Sequence, residues 1–273
     1  MPYAYNGGVR IFYEVAGEGP AMVLIHANPF DHNLWAYQTV RFSNRFRIVA
    51  PDLRGYGRSD KIATPFGLDD LAGDIVAVCN HAGVDRAIVG GISVGSGIAL
   101  ALALDHPDLV RALILVGGAS SRPAAYDGRI AGYEGERFPQ YRRTHMQECF
   151  APGFAATPLG RHLIGGFIEF DPVLDGKAIG QVFRARGGAD LRPRVPSLRV
   201  PTIVINGEHD MSLAPGRETV SLIPGAAHKV LNNTGHCCNL EDPAAFDAAV
   251  IEFLGSNGLW PELAMPTMPD RPG

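Results

Sequence analysis

Cysteine is scarce in this chain: its 273 residues include four, Cys79, Cys149, Cys237 and Cys238, and the last two are adjacent. Adjacent cysteines make a poor disulfide and a poor zinc-binding pattern, so we predict no disulfide framework. No set of histidines, cysteines and carboxylates has the spacing of metal ligands, so we predict no metal site. Reduced cysteines are typical of a reducing compartment, which makes a cytoplasmic location the simplest expectation.

Long apolar runs and basic runs are also missing. The longest apolar stretch, Ile98 to Leu104, is far too short to span a bilayer. The first residues contain neither the charged region nor the apolar region that is typical of a signal peptide. The net charge is −4 and no basic run reaches five residues, which gives no sign of a nucleic-acid surface. We therefore expect neither a membrane nor a nucleic acid as a partner.

What is present is a globular composition with alternating strand and helix patterns. Hydrophobic residues make up 46% of the chain and charged residues 19%, and the length suits one large domain or a domain with an insertion. The patterns predict strands at residues 9–15, 22–26, 46–51, 87–92, 112–116, 201–206 and 229–231, and helices at residues 35–42, 68–82, 98–104 and 246–254. This alternation is typical of an α/β fold with a mostly parallel central sheet flanked by helices.

One segment breaks the alternation. Residues 120–198 contain many glycines and prolines and scattered aromatic residues, but no clear buried strand. We predict a core formed by residues 1–119 and 199–258, a helical cap insertion at 120–198 over the carboxyl edge of the sheet, and an extended C-terminal tail at 259–273. Trp260 in that tail could pack on a neighbouring subunit, so a homo-oligomer is left open.

The pentapeptide Gly91-Ile92-Ser93-Val94-Gly95 is the strongest chemical signal in the chain. It lies between a strand pattern and a helix pattern, which is the arrangement of a nucleophile elbow. In such a turn the serine adopts strained backbone angles and its hydroxyl stands clear of the sheet. The flanking glycines avoid collisions between a Cβ and the neighbouring backbone. We therefore predict that Ser93 is a nucleophile.

A serine hydroxyl needs a base to remove its proton, and the base needs a carboxylate to orient it. His236 is the best candidate for the base, because it follows a predicted strand and precedes the last helix. Asp210 and Glu208 are the two candidates for the carboxylate, since both follow the predicted strand at 201–206. Asp210 is preferred because it lies further past the strand end.

The loop after the strand at 22–26 reads His26-Ala27-Asn28-Pro29. Pro29 fixes the turn, so that Asn28 can present its backbone N–H beside that of Val94. Two backbone N–H groups directed at one point form an oxyanion hole. The alternative is a plain tight turn.

Together these motifs resemble the α/β-hydrolase superfamily, over about residues 5–258 apart from the insertion. The resemblance is carried by five motifs in the family's order: His26-Ala27-Asn28-Pro29 with Trp35 downstream, the segment Asp52 to Asp60, the elbow at Ser93, Gly207-Glu208-His209-Asp210, and Gly235-His236. It implies a capped serine hydrolase with Ser93 as nucleophile, Asp210 as acid, His236 as base, and Asn28 and Val94 as oxyanion donors.

The resemblance has two departures. Relatives usually have glycine where this chain has Ala27, and the residue after the serine is usually methionine, leucine or glutamine rather than Val94. The oxyanion motif resembles haloalkane dehalogenases and epoxide hydrolases, but those use an aspartate at the position of Ser93. Their alkyl-enzyme chemistry is therefore not expected.

The leading functional hypothesis is cofactor-free hydrolysis of a small carboxylic ester or lactone through an acyl-enzyme. The alternatives are a C–C bond or enol-lactone hydrolase of an aromatic-degradation intermediate, and a non-catalytic ligand receptor on the same scaffold. The substrate in the leading hypothesis is a small molecule.

The cap insertion carries an excess of positive charge. Residues 119–199 contain twelve lysines and arginines against eight aspartates and glutamates, although the whole chain is negative. Such asymmetry could steer an anionic substrate, with Arg184 or Arg186 pairing a substrate carboxylate; the alternative is a solvated surface on an acidic core. His32 and Trp35 are further candidates for substrate binding.

Overall fold

The computed structural model describes residues 2–262. Within them the strands are β1 (Tyr3–Asn6), β2 (Val9–Ala16), β3 (Ala21–Ile25), β4 (Arg47–Pro51), β5 (Ala87–Ile92), β6 (Val110–Val116), β7 (Thr202–Gly207) and β8 (Ala227–Leu231). The helices are α1 (Ala36–Phe42), α2 (Leu68–Ala82), α3 (Val94–Asp105), α4 (Tyr126–Glu134), α5 (Phe138–Glu148), α6 (Pro158–Ile168), α7 (Gly176–Gly187), α8 (Leu213–Leu222), α9 (Cys238–Glu241) and α10 (Pro243–Ser256). Short 3₁₀ helices lie at His32–Trp35, Phe154–Ala156, Asp171–Val173 and Val195–Ser197.

The strands form one sheet in the order β1-β2-β4-β3-β5-β6-β7-β8. The pairs β1–β2 and β2–β4 are antiparallel, and all the pairs from β4 to β8 are parallel. This is the predicted mostly parallel sheet, with two antiparallel pairs at its start. The carboxyl ends of β3, β5, β6 and β7 consequently meet at one edge, which is where loops carry ligand sites in open α/β sheets.

The sheet is covered on both faces because its strands alternate their side chains between two apolar clusters. Val23 and Val89 pack with α2 and α3, whereas Met22 and Ile88 pack on the other face with residues of α10. Every residue of β5 is buried, which is the pattern of a central parallel strand. The same alternation therefore forms both layers of the core.

Helices α4 to α7 lie between β6 and β7, and we call residues 120–198 the cap segment. The cap helices pack against each other and, through α7, against α2 and α3 of the core. Tyr133 and Phe183 stack at the centre of the segment, with ring centroids 5.5 Å apart. The helical character predicted for this segment is thus present in the structure.

Trp260 packs on its own chain. Its ring meets the edges of Phe42 and Phe46 at centroid distances of 5.6 and 5.5 Å, and Arg45 donates to the carbonyl of Pro261 at 2.7 Å. Trp260 thus lies against the end of α1 and the segment that precedes β4 in its own chain. Residues 263–273 of the predicted tail lie outside the described residues.

Candidate active site

Ser93 occupies the turn between β5 and α3, with backbone angles φ 55° and ψ −112°. The strand and the helix approach each other so closely here that only glycine fits on either side. A Cβ on Gly91 would lie 2.2 Å from the carbonyl oxygen of Gly95, and one on Gly95 would lie 2.4 Å from that of Ile25. The two glycines therefore permit the positive φ of Ser93, which costs free energy in a residue with a side chain.

His236 and Asp210 form a buried pair. The Nδ1 atom of His236 lies 2.7 Å from Oδ1 of Asp210, and both residues are less than a tenth exposed. Asp210 also accepts hydrogen bonds from the backbone N–H of Ser212 at 2.7 Å and from Nδ2 of Asn206 at 2.8 Å. Glu208, the alternative carboxylate, accepts instead from the backbone N–H of Asn233 at 2.9 Å. The geometry thus selects Asp210 as the partner of His236.

The pair perturbs the pKa values of both side chains. Burial acts to raise the pKa of Asp210, but the charge and hydrogen bond of His236, with the bonds from Ser212 and Asn206, lower it below its usual value. Burial acts to lower the pKa of His236, but the charge and hydrogen bond of Asp210 outweigh burial and raise it. Asp210 is therefore held as a carboxylate, and it stabilises a positive charge on His236.

The loop that carries His236 is tied to the cap segment. The backbone N–H of Cys237 donates to the carbonyl of Cys149 at 2.9 Å. The carboxylate of Glu241 accepts from the backbone N–H groups of Gly235 and Ala151, each at 2.7 Å. Sequence reasoning missed Glu241, because nothing in its local pattern distinguishes it from a surface acid.

Gly117, at the end of β6, makes room for the imidazole. It has a φ of +54°, and a Cβ there would lie 2.5 Å from Nδ1 and Cε1 of His236 and 3.2 Å from Oδ2 of Asp210. Sequence reasoning also missed this residue, although a Gly-Gly pair at the carboxyl end of a strand is a usable signal.

The loop after β3 is held from both sides. His26 donates from Nδ1 to the carbonyl of Ala27 at 2.9 Å, and its Nε2 accepts the backbone N–H of Leu53 at 2.9 Å. From the cap segment, Arg142 donates to the carbonyl of Pro29 at 3.1 Å. These bonds fix the backbone of the loop, and Arg142 is a contributor that the sequence did not identify.

Asn28 lies on this loop and Val94 is the first residue of α3. The first backbone N–H groups of a helix have no partner within the helix, so they are free to face a ligand. The side chain of Asn28 is buried, and neither its Nδ2 nor its Oδ1 has a hydrogen-bond partner within residues 2–262. Because Asn28 lines the pocket described next, its carboxamide is available to a ligand.

Ser93, His236 and Asn28 line one pocket of about 290 Å³ beneath the cap segment. Arg186 lines the same pocket, as do Arg129 and His145 of the cap helices. The structure therefore brings together residues from four separate parts of the sequence. Asp210 lies behind His236 and reaches the pocket through it.

Three of the predicted substrate-binding residues lie elsewhere. His32 donates to Asp52 at 2.7 Å and lines a separate pocket of about 190 Å³. Trp35 is buried in the core, with its ring centroid 6.0 Å from that of Phe246. Arg184 is paired with Glu134 at 2.7 Å at the protein surface. None of the three is among the residues that line the Ser93 pocket within the described chain.

Within residues 2–262, one group of side chains has ligand atoms close enough together for a metal ion. Asp31, His32 and Asp52 place one ligand atom each within 4.8 Å of one another. The oxygens of Asp52 accept from His32 and from the backbone N–H of Arg58, and Oδ1 of Asp31 accepts from Asn33. Protein donors thus already occupy these carboxylates, and the group lies outside the Ser93 pocket.

Among residues 2–262, no helix is both long enough and apolar enough to cross a membrane.

Comparison with known proteins places the chain in a family. Residues 20–158 match the family model described as alpha/beta hydrolase fold. The chain is 28% identical over 257 residues to 3-oxoadipate enol-lactonase 2 of Acinetobacter baylyi, covering 89% of this chain and 92% of that protein.

Two solved structures are similar over nearly the whole chain. The enol-lactonase from Burkholderia xenovorans LB400 has a TM-score of 0.86 at 27% identity, covering 93% of this chain and all of that one. Est816, described as an N-acyl homoserine lactone degrading enzyme, has a TM-score of 0.80 at 28% identity, covering 92% of this chain and 100% of that one. Since the family model matches just over half of its residues, the chain belongs to the alpha/beta hydrolase fold family.

Proposed function

We propose that the protein hydrolyses a small carboxylic ester or lactone through an acyl-enzyme on Ser93. One observation carries the proposal: a buried Asp210–His236 pair, joined at 2.7 Å, lies at the same pocket as a serine at a strand-to-helix turn. A nucleophile, a base and an orienting acid are the groups that acyl transfer needs.

In the first step Ser93 Oγ attacks the carbonyl carbon while His236 accepts its proton. Asp210 holds the imidazole with Nδ1–H directed at its carboxylate, which leaves Nε2 as the acceptor. The oxyanion that forms is stabilised by the backbone N–H groups of Asn28 and Val94. The leaving alkoxide takes the proton from His236, so an ester releases its alcohol and a lactone opens its ring.

In the second step His236 removes a proton from water, and the hydroxide attacks the acyl-enzyme. The tetrahedral intermediate collapses, Ser93 leaves with the proton from His236, and the carboxylic acid is released. Apart from the substrate and water, the two proposed steps use only groups of this chain.

The similar proteins favour cyclic esters among the possible substrates. Two of those compared are enol-lactonases and the third degrades a lactone, at 27–28% identity to this chain. When the ring of an enol lactone opens, the leaving group is an enolate, which departs more readily than an alkoxide. We therefore extend the proposed substrates to enol lactones.

The experiment that tests the proposal compares substrate classes on wild type and Ser93→Ala in parallel. We would use 4-nitrophenyl esters with acyl chains of two, four and eight carbons, the lactones dihydrocoumarin and α-angelica lactone, and a vinylogous diketone. Serine-dependent turnover of an ester or lactone supports the proposal. Turnover of the diketone alone would replace it with C–C bond hydrolysis, and a ligand that binds tightly but survives unchanged would indicate a receptor.

Gly117→Ala is expected to lower kcat/KM by ~10²-fold, because the new Cβ displaces the imidazole of His236 and a misplaced base loses rate steeply. The left-handed backbone also costs about 1–2 kcal/mol in the free energy of unfolding. The measurements are steady-state kinetics and urea unfolding. Gly255→Ala is the matched control, since a Cβ there would meet nothing within 4 Å. Unchanged kinetics in Gly117→Ala would contradict the role of His236.

A further inference from the structure

Two arginines line the Ser93 pocket, and no acidic side chain of residues 2–262 lines it with them. Arg129 and Arg186 line it, together with the imidazoles of His145 and His236. No aspartate or glutamate is among its lining residues in the described part of the chain. The carboxylate nearest to the chemistry, Asp210, is engaged by His236. The pocket wall therefore has a net positive charge.

Arg186 contributes most to this charge because it is almost completely buried. Its side chain is 1% exposed, and its guanidinium donates to the backbone carbonyls of Ala119, Ser121 and Ala189. Those acceptors are neutral, so they satisfy hydrogen bonds without cancelling the charge. A buried charge without a counter-ion is costly, and proteins usually pair it.

A glycine of the core leaves room for the guanidinium of Arg186. Gly97 lies in the first turn of α3, and a Cβ on it would lie 1.9 Å from Nε of Arg186. The guanidinium therefore sits against the helix that begins just after Ser93. A guanidinium has five N–H donors, and the three bonds to carbonyls within residues 2–262 leave donors for a ligand.

Arg129 adds a second charge from α4. Its side chain is about one-eighth exposed, and it pairs at 2.7 Å with Glu148, whose side chain is half exposed. Glu148 does not line the pocket within the described residues. Water screens the exposed carboxylate of Glu148, which makes the ion pair weak. Arg129 therefore still contributes positive potential to the pocket.

We propose that the pocket selects substrates that carry a carboxylate in addition to the ester or lactone that is cleaved, with Arg186 and Arg129 binding that carboxylate. The inference rests on the proposed function and names its substrate class. In a pocket that is partly shielded from bulk water, a charge–charge attraction is stronger than at the surface. Among residues 2–262 Asp190 attracts Arg186 but makes no ion pair with it, so the substrate anion supplies the direct counter-ion.

The test uses two substrates of the same shape and different charge. These are 4-nitrophenyl hydrogen adipate and its terminal carboxamide, both followed by release of nitrophenolate. For wild type we expect kcat/KM to be about tenfold or more higher for the acid, mainly through KM. Arg186→Gln should reduce that ratio to about one, Arg129→Gln should reduce it partly, and Arg186→Lys should retain much of it.

Arg184→Gln is the matched control. It removes the same charge two residues away on α7, from a side chain that is paired with Glu134 outside the pocket. The ratio of acid to amide should therefore be unchanged. If Arg184→Gln lowers the ratio as much as Arg186→Gln does, general surface steering explains the preference and the inference is wrong.

The inference can fail without the proposed function. Equal turnover of the acid and the amide by wild type, still abolished in Ser93→Ala, would overturn the inference and leave the hydrolase proposal standing. If no ester or lactone is turned over in a Ser93-dependent way, the proposed function itself fails. Because these comparisons use wild type and Ser93→Ala, they do not depend on the folding of Arg186→Gln.

Discussion

Ser93→Ala is expected to lower kcat for the best ester or lactone substrate by ~10⁴-fold or more, because no acyl-enzyme can form without the hydroxyl. The remaining rate would come from binding and from the oxyanion donors alone. The backbone should be unaffected, since alanine and serine meet the same strain at a φ of 55°. The measurement is steady-state turnover, together with mass spectrometry after treatment with a fluorophosphonate. Wild type should gain one label on the peptide that contains Ser93, and the variant should gain none.

Ser96→Ala is the control for this prediction. Ser96 lies one helical turn away and is fully buried, and its Oγ donates to the carbonyls of Gly91 at 2.6 Å and Val116 at 3.0 Å. Losing these bonds should lower the free energy of unfolding by about 1–3 kcal/mol while labelling of Ser93 persists. Retention of more than about 1% of wild-type kcat in Ser93→Ala would show that another group is the nucleophile.

Asp210→Asn is expected to lower kcat by ~10⁴-fold. An asparagine can donate to Nδ1 of His236, which would stabilise the tautomer whose Nε2 carries the proton and cannot accept one from Ser93. The variant also loses the carboxylate that stabilises the imidazolium. The measurement is kcat at the pH optimum of the wild type. Glu208→Gln is the matched control, because Glu208 bonds to the backbone of Asn233 and not to His236. A larger loss in Glu208→Gln than in Asp210→Asn would reverse the assignment.

The pH profile provides a second readout of the same pair. Because Asp210 raises the pKa of His236, the imidazole becomes protonated at a higher pH than an ordinary histidine, and a protonated base cannot accept the serine proton. In wild type, kcat/KM should therefore fall with decreasing pH through a midpoint above ~6.5, the ordinary pKa of histidine. In Asp210→Asn, burial still lowers the pKa of His236, but no carboxylate at position 210 raises it. The midpoint of the kcat/KM profile should therefore move to lower pH. A rate that is flat down to pH 4 would contradict the assignment of His236 as base.

The fold could be predicted from the sequence wherever a local pattern determines the structure. The predicted limits of α2 and β5 match those in the structure, because apolar periodicity and flanking glycines act within a few residues. The N-cap of α10 is another local feature: Asp242 accepts from the backbone N–H of Ala245 at 2.9 Å, and Pro243 opens the helix. The strand β1 and the helix α8 were not predicted, since their patterns are short or weakly apolar.

The two cap arginines illustrate what a sequence cannot decide. Arg184 and Arg186 were equivalent candidates, because both lie in the same basic stretch. In an α-helix, residues two apart point in directions that differ by about 200°. On α7 that rotation sends Arg184 to Glu134 at the surface and Arg186 into the pocket wall. The orientation of α7 over α3 makes the choice, and no local pattern specifies it.

The sequence by itself determined most strands of the sheet, most helices of the core and the order of Ser93, Asp210 and His236, because periodicity and turn chemistry are local and these three residues follow strand ends. Only the tertiary structure decided which residues surround them. Gly117 and Cys149 contact the His236 loop from segments far away in sequence. Likewise, the charge of Arg186 matters only because packing buries it in a pocket without an acid among its lining residues in the described chain. Burial and proximity are products of long-range packing, and for that reason the order of the proposed catalytic residues can be predicted from the chain, whereas the pocket around them can be identified only in the folded protein.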